Sequence, residues 1–565
     1  GEGGLVERRG RPRRGVVLHV LFGFFFFLTR SGGFGVMSSS ISESSSGIRQ
    51  RRGAGVRPAP LVADSDDDKT RDAKSKIGKN EGKVPYVPSV FQRLPVDFYL
   101  ECLVVLVAFV ARMYRLGYPK KVVFDEFHFG KFVNWTIQRK YYFDIHPPLG
   151  KLILTAWGLF TGYEAVDGFM YDQIGKLYED TLFFPMRELS AVVGSFVPLI
   201  AYKTCRMLNF VPPAALVPAF CLALDNLLVV ESRLILLDSQ LIFFCTLSMY
   251  CALVLWRTTK PNTARRWLWL FITGFVSGCA LGIKWTSLAF PGVIGIISFF
   301  GLYFLEEPLT LVECGFALVS GLSIYALSFY IHFKILINSG PGDNFMETGF
   351  RHLLLGNQGY DATLKPPSFL KNFVYLNWRM YVSNKGILNT HHWSSVWYQW
   401  ILNMRGVLFV REYDDEAEGR PYRIVYLFSN PAVTWIALLA IIIFLVSAAL
   451  LARHRDMRFF SNRRQAYAEY VYTGAFCCFS WLSNLLPYIL VDRSSFAYHY
   501  LPGLYFAEIC IGLLVNTAPK QLHWLLAFMI IGTIVVAYVY WSPWVYFLTL
   551  TGEQHDARRW LRGWD

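Results

Sequence analysis

Residues 98–131 read FYLECLVVLVAFVARMYRLGYPKKVVFDEFHFGK, in which an apolar run leads directly into a loop of acidic, basic and aromatic side chains. The apolar part approaches the roughly 20 residues that a helix needs to cross about 30 Å of hydrocarbon. Asp125 and Glu126 therefore follow closely after a predicted membrane span. The stretch predicts an all-α polytopic membrane protein whose first loop carries ionisable groups close to the membrane, where such groups are commonly functional.

Further apolar segments of similar length continue along the chain after this first span, 98–116. Each of them is long enough to be a transmembrane helix. With the first one they make about eleven predicted spans. The others are 188–208, 212–230, 234–256, 266–284, 287–305, 309–335, 430–452, 470–490, 499–517 and 521–541.

The composition also argues against a soluble protein. Of 565 residues, 54% are hydrophobic and 17% are charged, whereas soluble domains contain about 25% charged residues. The formal net charge is +14, and residues 1–94 hold 17 Lys/Arg against 9 Asp/Glu. Because the basic residues stand beside apolar runs, they indicate membrane orientation more than nucleic-acid binding. All ten cysteines lie in or at the ends of apolar stretches, which indicates neither a disulfide framework nor a zinc site.

The basic loops determine the predicted orientation. Loops 257–266 and 453–464 are rich in Lys and Arg and fall on the cytosolic side if 147–163, a shorter apolar segment, does not cross the membrane. We therefore interpret 147–163 as a helix at the membrane surface within a large lumenal loop, 117–187. If the chain crosses the membrane once at each predicted span from this starting orientation, three later segments also lie on the lumenal side, namely 336–429, 491–498 and 542–565.

The predicted organisation has two membrane modules, 95–335 and 430–541, separated by the lumenal loop 336–429. Residues 1–94 form a basic segment that is predicted to be disordered, since residues 37–94 are rich in Ser, Arg, Gly, Asp and Lys and contain almost no aromatic side chains. Within it, residues 1–36 precede the first methionine and are interpreted as translated leader sequence.

The first lumenal loop concentrates the candidate catalytic groups. Asp125, Glu126 and Asp144 are accompanied by His146 and Lys151. Adjacent carboxylates point in different directions on a helix or strand, so one can face a reaction centre while the other binds a basic partner.

Two arginines bracket this loop. Arg112 lies near the end of the first span and Arg187 directly before the second. Arginine at such a position often extends to the membrane interface, but its planar guanidinium also suits a phosphate at the headgroup level. A lipid phosphate is the predicted ligand.

Six motifs stand in order along the chain: Phe124-Asp125-Glu126-Phe127-His128-Phe129-Gly130, Asp144-Ile-His146-Pro-Pro-Leu-Gly-Lys151, Ser232-Arg-Leu-Ile-Leu-Leu-Asp238-Ser239, Gly282-Ile-Lys284-Trp285, Ser339-Gly-Pro-Gly-Asp343 and Tyr498-His499-Tyr-Leu-Pro502. With them the chain resembles the protein O-mannosyltransferase family over residues 95–541, and the sequence of loop 1 is most similar to the branch that includes human protein O-mannosyltransferase 1. The resemblance implies a GT-C fold, location in the endoplasmic reticulum membrane with a lumenal active site, and transfer of mannose from dolichyl phosphate mannose to Ser or Thr hydroxyls of secretory proteins. It also implies a dimer with itself or a related mannosyltransferase, and transfer without a metal or other cofactor.

By resemblance, Asp125 and Glu126 form the catalytic acidic pair and Asp144 is a supporting carboxylate. Arg112 and Arg187 then contact the lipid phosphate and the acidic pair. Two further groups of the loop, His146 and Lys151, are predicted to help bind the phosphate, and two residues of the last lumenal loop either close over it or satisfy span ends, Arg493 and His499.

The sequence departs from the family in two places. No β-trefoil MIR domain fits in the loop between Asp343 and Phe369, and Ile401 stands where the family has Pro. Both departures concern the handling of the acceptor more than the chemistry of the donor.

The expected reaction is a single displacement that inverts the anomeric carbon, with Asp125 or Glu126 as the base. The residues do not decide between the two carboxylates. A transferase that acts on a glycolipid and a non-catalytic partner subunit remain alternatives. A transporter is disfavoured because the polar residues concentrate in a loop instead of in broken mid-membrane helices.

Overall fold

The structure of the chain is a computed structural model, and it describes residues 95–165, 169, 171–179, 183–388, 391–413, 421–453 and 464–564. The predicted basic segment 1–94, with its interpreted leader, lies outside the described residues.

The described part is mainly helical, with one antiparallel two-stranded sheet. In chain order the elements are α1 (Pro95–Met113), α2 (Glu126–Ile137), α3 (Leu149–Phe160), α4 (Phe183–Met207), α5 (Pro212–Ala223), α6 (Asn226–Glu231), α7 (Asp238–Thr258), α8 (Ala264–Ile283), α9 (Ala289–Phe300), α10 (Leu311–Ile335), α11 (Thr348–Arg351), α12 (Phe369–Lys385), α13 (Trp397–Ile401), β1 (Val407–Tyr413), β2 (Tyr422–Leu427), α14 (Pro431–Arg453), α15 (Arg464–Leu485), α16 (Leu501–Thr517), α17 (His523–Tyr546) and α18 (Gly552–Asp556).

Eight of the predicted spans are confirmed as helices long and apolar enough to cross a membrane, within the part of the chain that the structure describes. The count of eleven is not confirmed, because three predicted spans form helices that fall short of that standard. Helix α1 carries Asp97, Glu101 and Arg112, and the segments beginning at 212 and 285 form shorter apolar helices. Helix α3 has 12 residues, about 18 Å at 1.5 Å per residue, so it is too short to span; its predicted place at the membrane surface stays a prediction.

The predicted span 212–230 is broken between α5 and α6, and polar side chains satisfy the backbone at the break. Asp225 caps α6 by accepting a hydrogen bond from the Leu227 amide at 2.7 Å. Arg112 donates to the carbonyl oxygens of Leu222 and Ala223 at the end of α5, at 3.0 and 3.1 Å. The break is stable inside the bundle because side chains of the protein form hydrogen bonds with backbone groups that lipid could not satisfy.

The helices form an inner and an outer set. In helices α4, α7 and α16 most residues are buried inside the protein, whereas in α10, α14 and α17 fewer than a third are buried. Helices α8 and α10 approach closely through glycine: a Cβ at Gly278 would lie 2.2 Å from the Gly321 carbonyl oxygen. All ten cysteines are free thiols.

The lumenal segments of the prediction meet at one end of this bundle. Asn384 of α12 donates to the Ile145 carbonyl oxygen of the first loop at 2.9 Å, and the Ser395 amide donates to the Ser495 carbonyl oxygen of the last loop at 2.8 Å. The described part of the predicted tail, up to Trp564, is also folded: α18 follows α17, and the Trp564 indole donates to the Asn403 carbonyl oxygen at 2.7 Å. The described parts of loop 1, of the segment 336–429 and of the last loop therefore contact one another at this end of the bundle.

Candidate active site

Glu126, in the first turn of α2, forms a buried ion pair with Arg187 of α4. The guanidinium donates through Nε to Oε1 and through Nη2 to Oε2, both at 2.7 Å, and both side chains are fully buried. Glu126 also accepts hydrogen bonds from the backbone amides of Val123 and Ile235, each at 3.0 Å, and from the Tyr178 hydroxyl at 3.3 Å. We call these five residues the Arg187 cluster.

The remaining donors of Arg187 are occupied as well. Nη1 donates to the carbonyl oxygens of Leu116 and Pro119, and Nη2 to that of Lys121. The guanidinium thus joins the end of the first span, the start of the loop and Glu126. The structure places Arg187 on Glu126 of the acidic pair and not on Asp125, and it leaves Arg187 no donor for the predicted phosphate contact.

Arg112 also differs from its predicted role as a phosphate ligand. It is fully buried, and its Nη atoms donate to backbone carbonyls of α1 and of the broken helix. The helix break at Leu224 explains this position, because the carbonyl oxygens at the end of α5 need donors. A break inside an apolar run is not visible in hydropathy alone.

Asp125 differs from Glu126 in both its burial and its hydrogen bonding. It is half-buried, and its carboxylate has no hydrogen-bond or ion-pair partner among the described residues. Burial raises the pKa of Asp125; the positive charges of His128 and Lys284 oppose this effect, and the negative charges of Asp238 and Asp144 add to it. A carboxylate that is accessible, unpaired and more basic than usual is suited to accept a proton.

Asp144 pairs with Lys151 at 2.5 Å. Burial works to raise the pKa of Asp144, but Lys151 and His146 outweigh it and hold that pKa below its ordinary value. Lys151 donates in addition to the carbonyl oxygens of His146 and Pro147 at 2.7 and 3.0 Å. The predicted supporting carboxylate is therefore held ionised, and the predicted phosphate ligand Lys151 is fully engaged in holding it.

His146 lies among positive charges. Burial lowers its pKa to about 3; Asp144 opposes this effect, and Lys284, Lys151 and Arg493 add to it. The imidazole is neutral near pH 7, so it can take part in hydrogen bonding at the site but brings no charge to a phosphate.

A second ion pair, whose residues have no predicted catalytic role, lies beside Asp125. Lys284 follows α8 and donates to Asp238, the first residue of α7, at 2.6 Å. Its Nζ lies 5.3 Å from the centre of the Tyr498 ring. Glu231, at the end of α6, interacts electrostatically with Asp238, Lys284 and Asp125. We call Asp125, Glu231, Asp238 and Lys284 the Asp125 cluster. In the sequence, the motifs that contain Asp238 and Lys284 lie near the ends of predicted spans, and this position could have indicated the cluster.

The last loop completes the lining. Arg493 is half-buried, donates to the Asn384 side chain and interacts electrostatically with His146 and His499. His499 stacks on Trp400 of α13 with a distance of 6.2 Å between ring centres. The structure therefore places Arg493 and His499 close to loop 1.

Packing of aromatic rings fixes the acidic dipeptide in place. Phe124 stacks on Phe409 of β1 at 4.4 Å between ring centres. Gly130 makes room for the ring of Tyr171, since a Cβ there would lie 2.3 Å from the ring. Asn134 of α2 is buried, and its side chain accepts a hydrogen bond from the Tyr163 hydroxyl and donates one to the Phe169 carbonyl oxygen.

Two family models match the chain in succession. Residues 102–337 match the dolichyl-phosphate-mannose–protein mannosyltransferase model, and residues 369–564 match the C-terminal four-span region of protein O-mannosyltransferases. The first match contains Asp125 and the Arg187 cluster, and the second contains Arg493 and His499.

Individual relatives agree. Protein O-mannosyl-transferase 2 of Danio rerio is 31% identical over 371 residues, which cover 61% of this chain and 48% of that protein. Dolichyl-phosphate-mannose–protein mannosyltransferase 4 of Candida albicans is 36% identical over 273 residues, which cover 45% of this chain and 35% of the relative. The chain therefore spans half or less of the length of these curated relatives, and its predicted nearness to one branch stays a prediction.

The fold matches a solved structure, that of the S. cerevisiae protein O-mannosyltransferase Pmt1–Pmt2 complex bound to the sugar donor. The TM-score is 0.74 at 18% identity, covering 84% of this chain and 93% of that one. This match confirms the predicted GT-C fold of a multi-pass membrane protein. The two successive family models, the curated relatives and the shared fold together show that the chain belongs to the protein O-mannosyltransferase family.

Proposed function

We propose that the chain transfers mannose from dolichyl phosphate mannose to Ser or Thr hydroxyls of secretory-pathway proteins, with Asp125 as the base. The observation that carries the proposal is the difference within the acidic pair. Glu126 is bound on both oxygens by Arg187, whereas Asp125 is unpaired and half-buried beside the Lys284 ion pair.

The reaction places a simple demand on the base. A Ser or Thr hydroxyl is almost wholly protonated at neutral pH and is a weak nucleophile until a nearby group takes its proton. As the bond between the acceptor oxygen and the anomeric carbon forms, the hydroxyl proton passes to the Asp125 carboxylate. The bond from the anomeric carbon to the phosphate oxygen breaks, and its electron pair leaves with dolichyl phosphate.

The leaving phosphate needs positive charge. Lys284 makes one ion pair and Arg493 is bound through one Nη to Asn384, so each keeps donors that the other described residues do not use. Both interact electrostatically with His146 and His499. We assign charge stabilisation of the leaving group to these two cations in place of Arg187 and Lys151, whose donors hold backbone and carboxylate groups, and of Arg112, which is fully buried against backbone carbonyls of α1 and α5.

The arrangement favours one displacement step. A retaining mechanism uses two carboxyl groups, one of them as nucleophile, and here Asp125 alone of the three candidate catalytic carboxylates has no cation bound to it. A β-linked donor would then give an α-mannosyl product. Because Glu126 and Asp144 are each bound to a basic side chain, the three carboxylates do not converge as metal ligands, which supports transfer without a metal cofactor.

We place the reaction in the lumen of the endoplasmic reticulum, because the basic loops orient the Asp125 side away from the cytosol. Dimerisation with a related mannosyltransferase is supported by the yeast Pmt1–Pmt2 complex, whose chain shares this fold.

The test uses membranes that contain the full chain, expressed alone or with a related mannosyltransferase. They are incubated with radiolabelled dolichyl phosphate mannose and a Ser/Thr-rich peptide, with and without EDTA. We expect label in the peptide, released as α-mannose and insensitive to EDTA. Label recovered only in lipid would favour the glycolipid alternative, and no label above membranes without the chain, in any combination, would contradict the proposal.

A further inference from the structure

The motif Ser339-Gly-Pro-Gly-Asp343 has no part in the proposed chemistry, yet its acid is buried and hydrogen-bonded. Asp343 is 7% exposed. Its Oδ1 accepts from the Gly340 amide at 2.9 Å, and its Oδ2 accepts from the Ser339 hydroxyl at 2.6 Å and from the Asn357 side chain at 2.7 Å. A carboxylate that accepts several nearby donors holds its turn in one conformation. We call residues 339–343 the Asp343 turn.

The Asp343 turn lies directly against loop 1. The Tyr141 amide donates to the Asn338 carbonyl oxygen at 2.8 Å, and the Gly342 amide donates to the Tyr141 carbonyl oxygen at 3.1 Å. A Cβ at Gly340 would lie 2.3 Å from the Tyr141 carbonyl oxygen, and one at Gly342 would lie 2.4 Å from the Tyr142 carbonyl carbon. Glycine at both positions therefore lets the turn approach the backbone of loop 1 closely enough to bind both polar groups of Tyr141.

The contact continues to the residue before Asp144. Phe345, two residues after the Asp343 turn, stacks on Phe143 at 4.1 Å between ring centres. Asp144 comes next in the chain and pairs with Lys151 at 2.5 Å. Because consecutive Cα atoms are held about 3.8 Å apart, a fixed Phe143 leaves little freedom for the backbone of Asp144.

Other groups hold the chain after Asp144. Asn384 donates to the Ile145 carbonyl oxygen at 2.9 Å, and Lys151 donates to the His146 carbonyl oxygen at 2.7 Å. The backbone around Asp144 is thus supported on both sides, by the Asp343 turn before it and by these two donors after it. Loss of one support should displace Asp144 without releasing the membrane helices.

We propose that Asp343 is a positioning residue for the transfer reaction: it shapes the turn that holds Tyr141 to Phe143, and through them it places the Asp144 carboxylate in the site. The carboxyl of Asp343 is bound within its own segment, so it acts through loop 1 and not on the substrate. Asp144 in turn holds Lys151, which binds the backbone at His146. The inference rests on the proposed function, in which Asp144 is the predicted supporting carboxylate.

The first test measures transfer to the Ser/Thr-rich peptide in Asp343→Ala, which removes all three hydrogen bonds. A catalytic group that is displaced by about 1 Å can cost up to about 10²-fold in rate. We expect kcat to fall by about tenfold or more, with the KM values for donor and peptide within about threefold of wild type. Asp343→Asn can still accept from the Gly340 amide, so its kcat should lie between those of wild type and Asp343→Ala.

The matched control is Asp361→Ala in the same lumenal segment. Asp361 also accepts from an amide and a hydroxyl, both of Thr363, at 2.8 and 2.6 Å. These side-chain hydrogen bonds stay within its own exposed turn, away from loop 1. The kcat of Asp361→Ala should therefore stay within about twofold of wild type.

The second test asks whether Asp343 acts through Asp144. Its background combines Asp144→Asn with Lys151→Met, so that neither partner of the pair is left as an unpaired charge. Adding Asp343→Ala to this background should lower kcat by less than about threefold, because the group that the turn positions is already absent. An equal fall of kcat in this background and in wild type would overturn the proposal.

The third measurement does not depend on activity. In nanodiscs that hold the full chain, amide hydrogen exchange of peptides covering 139–146 should be about tenfold faster in Asp343→Ala, whereas exchange in α10 should not change. Asp361→Ala should leave both regions as in wild type. Unchanged exchange in 139–146 would overturn the proposal even if kcat falls, and this measurement decides alone if the neutral background shows no transfer.

The outcomes separate this inference from the proposed function. If Asp343→Ala does not fold, Asp343→Asn replaces it in the same measurements. Loss of protection throughout the chain in both variants would overturn the inference, because Asp343 would then serve the fold and not the site. Absence of transfer in wild type contradicts the proposed function itself, whereas wild-type transfer with unchanged exchange in 139–146 contradicts only the inference.

Discussion

The Arg187 cluster and the Asp125 cluster begin at adjacent residues and are built in opposite ways. In the first, Glu126 has both oxygens bound to Arg187 and accepts three further hydrogen bonds. In the second, Asp125 and Glu231 face one internally neutralised ion pair and have no partner of their own among the described residues. The fully hydrogen-bonded acid therefore holds the loop in place, while the acid without a partner is available to react.

The same contrast separates the basic residues. Arg187 uses all its donors within the protein, whereas Arg493 of the last loop is bound to Asn384 and retains donors free of the described residues. Sequence position alone favoured Arg187 as the phosphate ligand. Because Arg187 has no unused donor and Arg493 has some, Arg493 is the better candidate for the phosphate ligand.

The largest effect should come from removing the base. Asp125→Asn should lower peptide mannosylation by about 10²- to 10⁴-fold, the range for loss of a general base, while the melting temperature of the purified protein stays close to wild type. Asp172→Asn is the matched control, since Asp172 is an exposed acid of the same loop paired with Lys176. Undiminished transfer in Asp125→Asn would remove the distinction between the clusters.

Breaking the Arg187 cluster should instead affect folding. Glu126→Gln leaves the buried guanidinium without its counter-ion, and removal of one partner of a buried pair costs about 3–5 kcal/mol. We expect a large fall in melting temperature and in the yield of folded protein. Arg187→Met combined with Glu126→Gln should cost less than the sum of the single changes. A stable Glu126→Gln protein that has lost transfer would move the catalytic role to Glu126.

Arg493→Gln tests the assignment of the phosphate. Loss of one charge-assisted hydrogen bond should raise the KM for dolichyl phosphate mannose by about tenfold, since such a bond contributes about 1.5 kcal/mol or more. The measurement is initial rate against donor concentration, with the acceptor KM as an internal reference. An unchanged donor KM would place the phosphate elsewhere.

The smallest expected effect is a displacement of the pH profile. Asp125 must be ionised to accept a proton, and burial raises its pKa above the ordinary value for aspartate. Transfer should therefore fall as pH falls through this raised pKa, at a higher pH than an exposed aspartate would give. The measurement is log kcat/KM against pH in wild type. An acidic limb at or below the ordinary aspartate pKa would contradict the assignment of the half-buried Asp125 as the base.

Much of this protein could be predicted from its sequence because hydrophobic periodicity and family motifs are local. The eight confirmed spans follow from uninterrupted apolar runs, and the motif around Asp125 and Glu126 located the site. The break at Leu224 could not be predicted, because the donors that satisfy it come from Arg112 and Asn430, far away along the chain. Glu231 was missed for a related reason: a lone acid at the end of an apolar run shows no sign of its neighbours.

The family, the membrane character of the chain and the loop that carries the acids can all be read from the amino-acid sequence. Which acid is bound and which is free depends on the donors that reach each carboxyl group, and this is visible only in the folded protein. Adjacent residues share almost the same sequence context, yet Glu126 turns toward Arg187, 61 positions further along the chain, while Asp125 lies beside Lys284. Long-range packing sets the solvation and pairing of each charge, and it is these that divide structural acids from chemical ones.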